Sequence, residues 1–236
     1  MLPIIATPKY DMIVPSTGQE LTYRPYVVKE EKVLLIALET EDDIAIEKAV
    51  LNVIKACVET PLDFKALTTF DVEFMFVTLR SKSVGEGVKL NMKCEAKDCD
   101  GTMEEKIDLD KVIISNLEDK PNNNIKINDD ISIDLKWLGI NDALTAGQKK
   151  TGTDTVINMA AKSIETIYSG EEVISASDAT HKEVVNFVES FNTDQFAKII
   201  AYIEAAPAIT YDVNYDCPKC GHHNERSLKG LSDFFI

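Results

Sequence analysis

Four of the five cysteines fall in two close pairs, Cys94 with Cys99 and Cys217 with Cys220. The local strings are Lys93-Cys-Glu-Ala-Lys-Asp-Cys-Asp-Gly101 and Asp216-Cys-Pro-Lys-Cys-Gly-His223. Each pair follows a segment that reads as a strand, and each has a glycine beyond its second cysteine, Gly101 and Gly221. Tight turns of this kind put two thiolates on one side. Two such turns facing each other complete a tetrahedron of sulfur ligands at about 2.3 Å from a zinc ion. Four thiolates leave no open position for water or substrate, so the site is structural rather than catalytic, and its binding energy is also folding energy. Cys94, Cys99, Cys217 and Cys220 are the candidate ligands of one structural Zn²⁺.

Three other readings of the cysteines compete with zinc. Two disulfides are one, but the segment from Met1 to Pro15 lacks the basic and then apolar regions of a signal peptide. The longest apolar runs, such as Val33 to Leu38, are also far short of the ~20 residues that cross a bilayer. A cytosolic setting, with thiols kept reduced, is therefore expected. A rubredoxin-like iron site is the second, and the wider Cys94–Cys99 spacing suits it less well. Unligated thiols are the third. His222 and His223 could replace a cysteine or hold a second metal, although an exposed turn explains them better. His181, beside a helix start, reads as a surface residue.

No catalytic constellation is visible. The nucleophile elbow, the phosphate-binding P-loop, the zinc-protease helix and the dinucleotide fingerprint are all missing. Ser83-Val-Gly-Glu-Gly87 has two glycines but lacks a phosphate-binding pattern. The formal net charge of −15, from 40 acidic and 25 basic side chains, opposes sequence-independent nucleic-acid binding and docking on anionic membranes. Between Glu95 and Asp134 there are 12 acidic and 5 basic residues, or 12 − 5 = 7 of the 15 excess charges. That stretch is either a solvated rim of a β-sheet or a face that steers toward a basic protein partner.

The elements that must position the thiols are legible from periodicity. Asp11 to Pro15 and Leu21 to Arg24 flank the turn-like Ser16-Thr-Gly-Gln19 and predict a hairpin. Ile46, Ala49, Val50, Val53, Ile54 and Cys57 form one face of a helix, with Cys57 as a small buried hydrophobe. Phe70 to Ser83 is a second, aromatic-rich helical segment of core character. Val88 to Cys94, Thr102 to Leu109 and Ile131 to Leu135 alternate as strands. Three apolar stripes then predict helices: Ile157, Ala160, Ala161, Ile164 and Tyr168, ended by Gly170; Val184, Phe187, Val188 and Phe191, entered through a Thr180–Glu183 capping box; and Phe196, Ile199, Ile200 and Ile203. Ile209 to Asp216 closes the series as a strand.

The expected class is α+β: residues 1–85 as a hairpin with helices, residues 86–140 with 209–236 as a zinc-ribbon-like β unit made from two separated segments, and residues 141–208 as a helical insertion. At this point the chain also resembles a known family. Met1-Leu-Pro3, Val14-Pro-Ser-Thr-Gly18, Tyr23-Arg-Pro-Tyr-Val-Val-Lys-Glu-Glu-Lys-Val-Leu-Leu35, Phe70-Asp-Val-Glu-Phe74, Leu79-Arg-Ser-Lys-Ser-Val-Gly-Glu86 and Leu228-x-Gly-x-x-x-Phe-Phe235 are similar to segments of the T-even bacteriophage baseplate hub family. The likeness covers residues 1–110 and roughly the last thirty, and nothing is carried over through 141–208. It implies a non-enzymatic tail protein of the contractile-tail baseplate hub, found in the virion or acting in the host cytoplasm as an assembly chaperone. The implied partners are hub or tape-measure proteins. The alternative from a different class is a zinc-ribbon adaptor for a transcription or other protein partner, although the basic, aromatic-interleaved surface that nucleic acid requires is missing.

Overall fold

Gly18, with a φ of +71°, turns the chain back on itself at the first hairpin, pairing β1 (Tyr10–Ile13) with β2 (Glu20–Tyr23). In the computed structural model, residues 5–118, 121–147 and 152–235 are described; Met1-Leu-Pro3 and Ile236 lie outside them. The helices α1 (Val28–Leu38), α2 (Asp43–Cys57) and α3 (Thr69–Val84) follow. Next come β3 (Gly87–Lys93), β4 (Thr102–Asp108), β5 (Ile113–Ser115), β6 (Asn124–Lys126) and β7 (Ile131–Leu135). Helices α4 (Ile140–Gly147) and α5 (Gly152–Ser163) lead into β8 (Ile164–Ser169) and β9 (Glu172–Ser175). The chain closes with α6 (His181–Glu189), α7 (Thr193–Glu204), β10 (Ala208–Asp216), β11 (His223–Lys229) and α8 (Gly230–Phe235). The class is α+β.

Two compact units share the chain. The first takes Met1–Leu62, Phe70–Ser115 and Pro207–Ile236, and the second takes Asp63–Thr69 and Asn116–Ala206. The acidic stretch is therefore divided, with Glu95 to Ser115 in the first unit and Asn116 to Asp134 in the second. It is not one face of one β unit.

In the first unit the hairpin β3–β4 and the sheet β11-β10-β5 share a single apolar core. Leu90, Met92 and Ile107 meet Ile209, Val213, Tyr215, Leu228 and Phe234 there, as the period-two burial of β3 and β10 requires. The Lys-Glu-Glu-Lys segment of α1 has a structural role. Glu30, 5% exposed, accepts from Arg24 at 2.8 Å and reaches back to the Val27 N–H at 2.9 Å, while Arg24 also donates to the Ala56 carbonyl. Burial alone would raise the Glu30 carboxyl, but those donors outweigh it and leave the group below its ordinary value. Cys57 is fully buried and its thiol is pushed up to about 11 by that burial.

The second unit pairs β6-β7-β8-β9 as an antiparallel meander and packs α5, α6 and α7 against it. Thr180 and Glu183 form the expected capping box of α6. The stripe from Ile157 to Tyr168 is a correction. Helix α5 stops at Ser163, whose hydroxyl donates back to the Ala160 carbonyl, and Ile164 and Tyr168 lie on a strand instead. The run Ile164-Glu-Thr-Ile-Tyr is β-branched and aromatic, and pairing with β7 decides its state: Ile133 opposes Ile167 and Leu135 opposes Ile164. Gly170, at φ +58°, begins the two-residue turn into β9, a position where such hairpins favour glycine. The span 141–208 therefore contains a hairpin as well as helices.

One half-buried acid in the first unit generates a pH prediction. Burial raises the Glu73 carboxyl above its ordinary value of 4.5, against the lowering effect of the Leu231 and Ile209 N–H groups that it accepts. A carboxyl raised by folding contributes stability that is fully present below its unfolded value and is lost as pH rises through its folded value. Glu73→Gln keeps an acceptor oxygen without the charge. It is expected to be more stable than the parent at neutral pH, with the gap closing below about pH 4.5. Urea unfolding at both pH values checks this, and a variant less stable at neutral pH contradicts it.

Candidate metal centre

Both cysteine pairs sit in hairpin loops of the first unit. Cys94 directly follows β3 and Cys99 lies in the same loop before β4, while Cys217 and Cys220 occupy the loop between β10 and β11. Each loop is closed by its own backbone. Cys94 N–H donates to Gly101 O at 2.8 Å, and Cys217 N–H donates to His222 O at 2.9 Å. Each also needs one residue with a left-handed backbone, Asp98 at φ +65° and Gly221 at φ +72°. Aspartate tolerates that region better than most side chains, and glycine adopts it freely.

The four sulfur atoms all lie within 4.8 Å of one another. Two of the edges run between the loops, 3.7 Å from Cys94 to Cys220 and 3.7 Å from Cys99 to Cys217. A tetrahedron of thiolates about 2.3 Å from a central zinc ion has edges of about 3.8 Å. The spacing of the four sulfurs is compatible with a metal site, and no cysteine is in a disulfide. Cys217 is buried, Cys94 and Cys99 are half-buried, and Cys220 is exposed.

Backbone N–H groups of both loops point at the sulfurs. N–H groups of Cys220 and Lys219 donate toward the Cys217 sulfur and, against burial, pull its thiol down to about 7. Cys94, Cys99 and Cys220 each receive a backbone N–H too, from Ala96, Gly101 and His222. Burial and the neighbouring sulfurs nonetheless leave those three thiols above their ordinary value. One negative sulfur is stabilised by its neighbours, and further ionisation is resisted unless a cation shares the site.

All four cysteines singled out from spacing are brought together. The histidines are not part of the group among the described residues. His223 instead contacts Asp216 at 2.7 Å across the β10–β11 ladder, and His181 contacts Asn158 at 2.6 Å in the second unit. Spacing gave no hint of Asn224, which is 1% exposed and accepts from the Glu95 N–H at 2.8 Å. Its string, His223-Asn-Glu-Arg-Ser227, is polar throughout and carries no burial signal.

A family model described as T4 bacteriophage base plate protein matches residues 7–236, nearly the whole chain. No curated protein and no solved structure matches it.

Gly101 is the point where the packing leaves no slack. A Cβ added there would lie 2.6 Å from the Cys217 sulfur and 3.3 Å from that of Cys99. Gly101→Ala is expected to cost about 1–3 kcal/mol through this overpacking. Gly152→Ala, where nothing lies within 4 Å, should stay within about 0.5 kcal/mol. Denaturant titration of both variants checks the pair, and equal stability would contradict the close approach at Gly101.

Proposed function

We propose that this chain, which belongs to the T4 bacteriophage base plate protein family, is a non-enzymatic component or assembly factor of the central hub of a contractile-tail baseplate, held together by a structural zinc ion on Cys94, Cys99, Cys217 and Cys220. The observation that carries the reading is the family match over residues 7–236. The hub assignment draws on the residues quoted for the resemblance, several of which have identifiable structural tasks. Ser16 of the Pro-Ser-Thr-Gly turn binds Asp71 of the Phe-Asp-Val-Glu-Phe segment, and Glu30 of the Lys-Glu-Glu-Lys segment binds Arg24. Such roles suit a protein whose shape is its product. Partners are then hub proteins or the tape-measure protein, met in the host cytoplasm during assembly or retained in the virion.

The zinc assignment draws on chemistry. Four clustered sulfur donors suit a tetrahedral zinc or iron, and a closed set of this kind contributes to folding rather than to a reaction. When bound, the ion would supply a cross-link between the β3–β4 and β10–β11 loops. Cys217 and its three partners would hold it as thiolates, with the backbone N–H groups of the two loops steadying the sulfur charge.

Two measurements test the two halves. Metal analysis of protein purified without added metal should give about one zinc per chain. Cys217→Ser should lose the metal with severe destabilisation, whereas Cys57→Ala should keep it at a cost of about 1–2 kcal/mol. Iron, or freely titratable thiols with no metal, overturns the zinc assignment. Mass spectrometry of purified particles and pull-downs against hub and tape-measure proteins test the role. Presence in the particle indicates a component, and binding without incorporation indicates an assembly factor. Absence of both overturns the hub reading.

A further inference from the structure

Tyr215 and Asn224 oppose each other across the β10–β11 ladder, and both are buried, at 4% and 1% exposure. From this one cross-strand pair, two side chains reach the other cysteine loop. The Tyr215 hydroxyl donates to the Lys93 carbonyl at 2.7 Å, and the Glu95 N–H donates to Asn224 Oδ1 at 2.8 Å. Lys93 and Glu95 are the residues on either side of Cys94, so the backbone of that cysteine is held on both flanks. Asn224 also binds its own hairpin. Its Nδ2 donates to the His222 carbonyl at 2.9 Å and to the Tyr215 carbonyl at 3.3 Å. The His222 carbonyl is the same one that accepts the Cys217 N–H. A single buried amide is therefore bonded to the backbone of both loops.

The pair Lys219–Asp100 also ties the two loops, with side chains 60% and 85% exposed. An exposed pair of that kind contributes little. The amide and the phenol hydroxyl are different, because a buried polar group costs free energy unless it is bonded, and these two are bonded.

We infer that Tyr215 and Asn224 form a clamp that sets the metal affinity of the four-thiol site, by fixing Cys94 against the Cys217–Cys220 loop independently of the ion. This deepens the zinc reading and rests on it. Ordering four thiols from mobile loops costs conformational entropy, and a site whose backbone is already fixed pays less of it on binding. Residues that orient metal ligands from behind typically change metal affinity by about 10–100-fold when removed. Both are positioning residues: they act through the backbone of Cys94 and Cys217. A purely structural role would weaken the metal-free and metal-loaded folds equally and leave the affinity untouched.

The test is zinc affinity of the full chain, measured by competition with a chromophoric chelator, for the parent, Tyr215→Phe and Asn224→Ala. Asn224→Ala is expected to weaken zinc binding by about 10–100-fold, and Tyr215→Phe, which removes only the hydroxyl, by several-fold. The sulfur-to-cobalt absorption band of each variant saturated with Co²⁺ should keep the parental position, since the four thiols are unchanged. Affinities of both variants within about twofold of the parent, with stability lost equally in the zinc-loaded and zinc-free forms, overturn the clamp. Should Asn224→Ala fail to fold, Tyr215→Phe decides the question alone, and an unchanged affinity overturns the inference. A parent chain that binds no zinc overturns the zinc reading itself, and that result is seen before any variant is compared.

Discussion

Two loops separated by more than a hundred residues must meet before the first unit can close. The sulfur pairs that define the meeting point are 126 and 118 residues apart in sequence. Loop-closure entropy grows only slowly with length, so the long excursion through Asn116–Ala206 adds little to the cost of bringing the loops together. What does cost is ordering both loops at once, and three layers of interaction offset it. Outermost from the sulfurs is the apolar core of Leu90, Met92, Ile107, Ile209, Val213 and Leu228. Next is the Tyr215–Asn224 pair, which belongs both to the core strands and to the polar ties of the loops. The four thiols come last, at the end that depends on all the rest.

Helix α3 imposes a second closure. Phe70, Asp71, Val72, Met75, Phe76, Val77 and Leu79 are all buried, so the helix is enclosed on nearly every side. A carboxylate in such a place must find donors. Asp71 takes the Ser16 N–H at 2.9 Å and its hydroxyl at 2.7 Å, fixing the turn of the first hairpin. Glu73 takes the N–H groups of Leu231 and Ile209. Gly230 sits close by, where an added Cβ would come 3.4 Å from the Glu73 carboxylate. The Phe-Asp-Val-Glu-Phe segment therefore binds the beginning of the chain with one acid and its end with the other. Polar residues set between aromatic ones are what make three distant segments into one unit.

Much of this was legible in the sequence where a signal is local. Cysteine spacing marked all four sulfur atoms of the cluster, because a turn that aims two thiols one way is written in a few residues. The helical faces of α2, α6 and α7 and the capping box of α6 were equally local. The apolar positions of Ile164 to Ser169 suit a helical stripe as well as an alternating strand, and only pairing with β7 decides between them. Asn224 and Glu73 were invisible for a related reason. Each is a polar residue whose burial depends on a segment far away in sequence, and periodicity carries no information about that.

The acidity of the chain also has to be judged from its partners. Several carboxylates in the stretch that holds 7 of the 15 excess charges are engaged inside their own unit. Asp110 accepts from Ser81 and Lys82, and Asp108 caps the short turn that follows β4. Asp134 accepts from Tyr168 and Asn124, and Asp129 pairs with Lys126. These groups stabilise local geometry, and the stretch is split between two units. A concentrated docking patch would require free carboxylates gathered on one surface. A net charge of −15 spread over the chain acts differently: it speeds the approach of a basic partner over distances up to the screening length without naming where that partner lands.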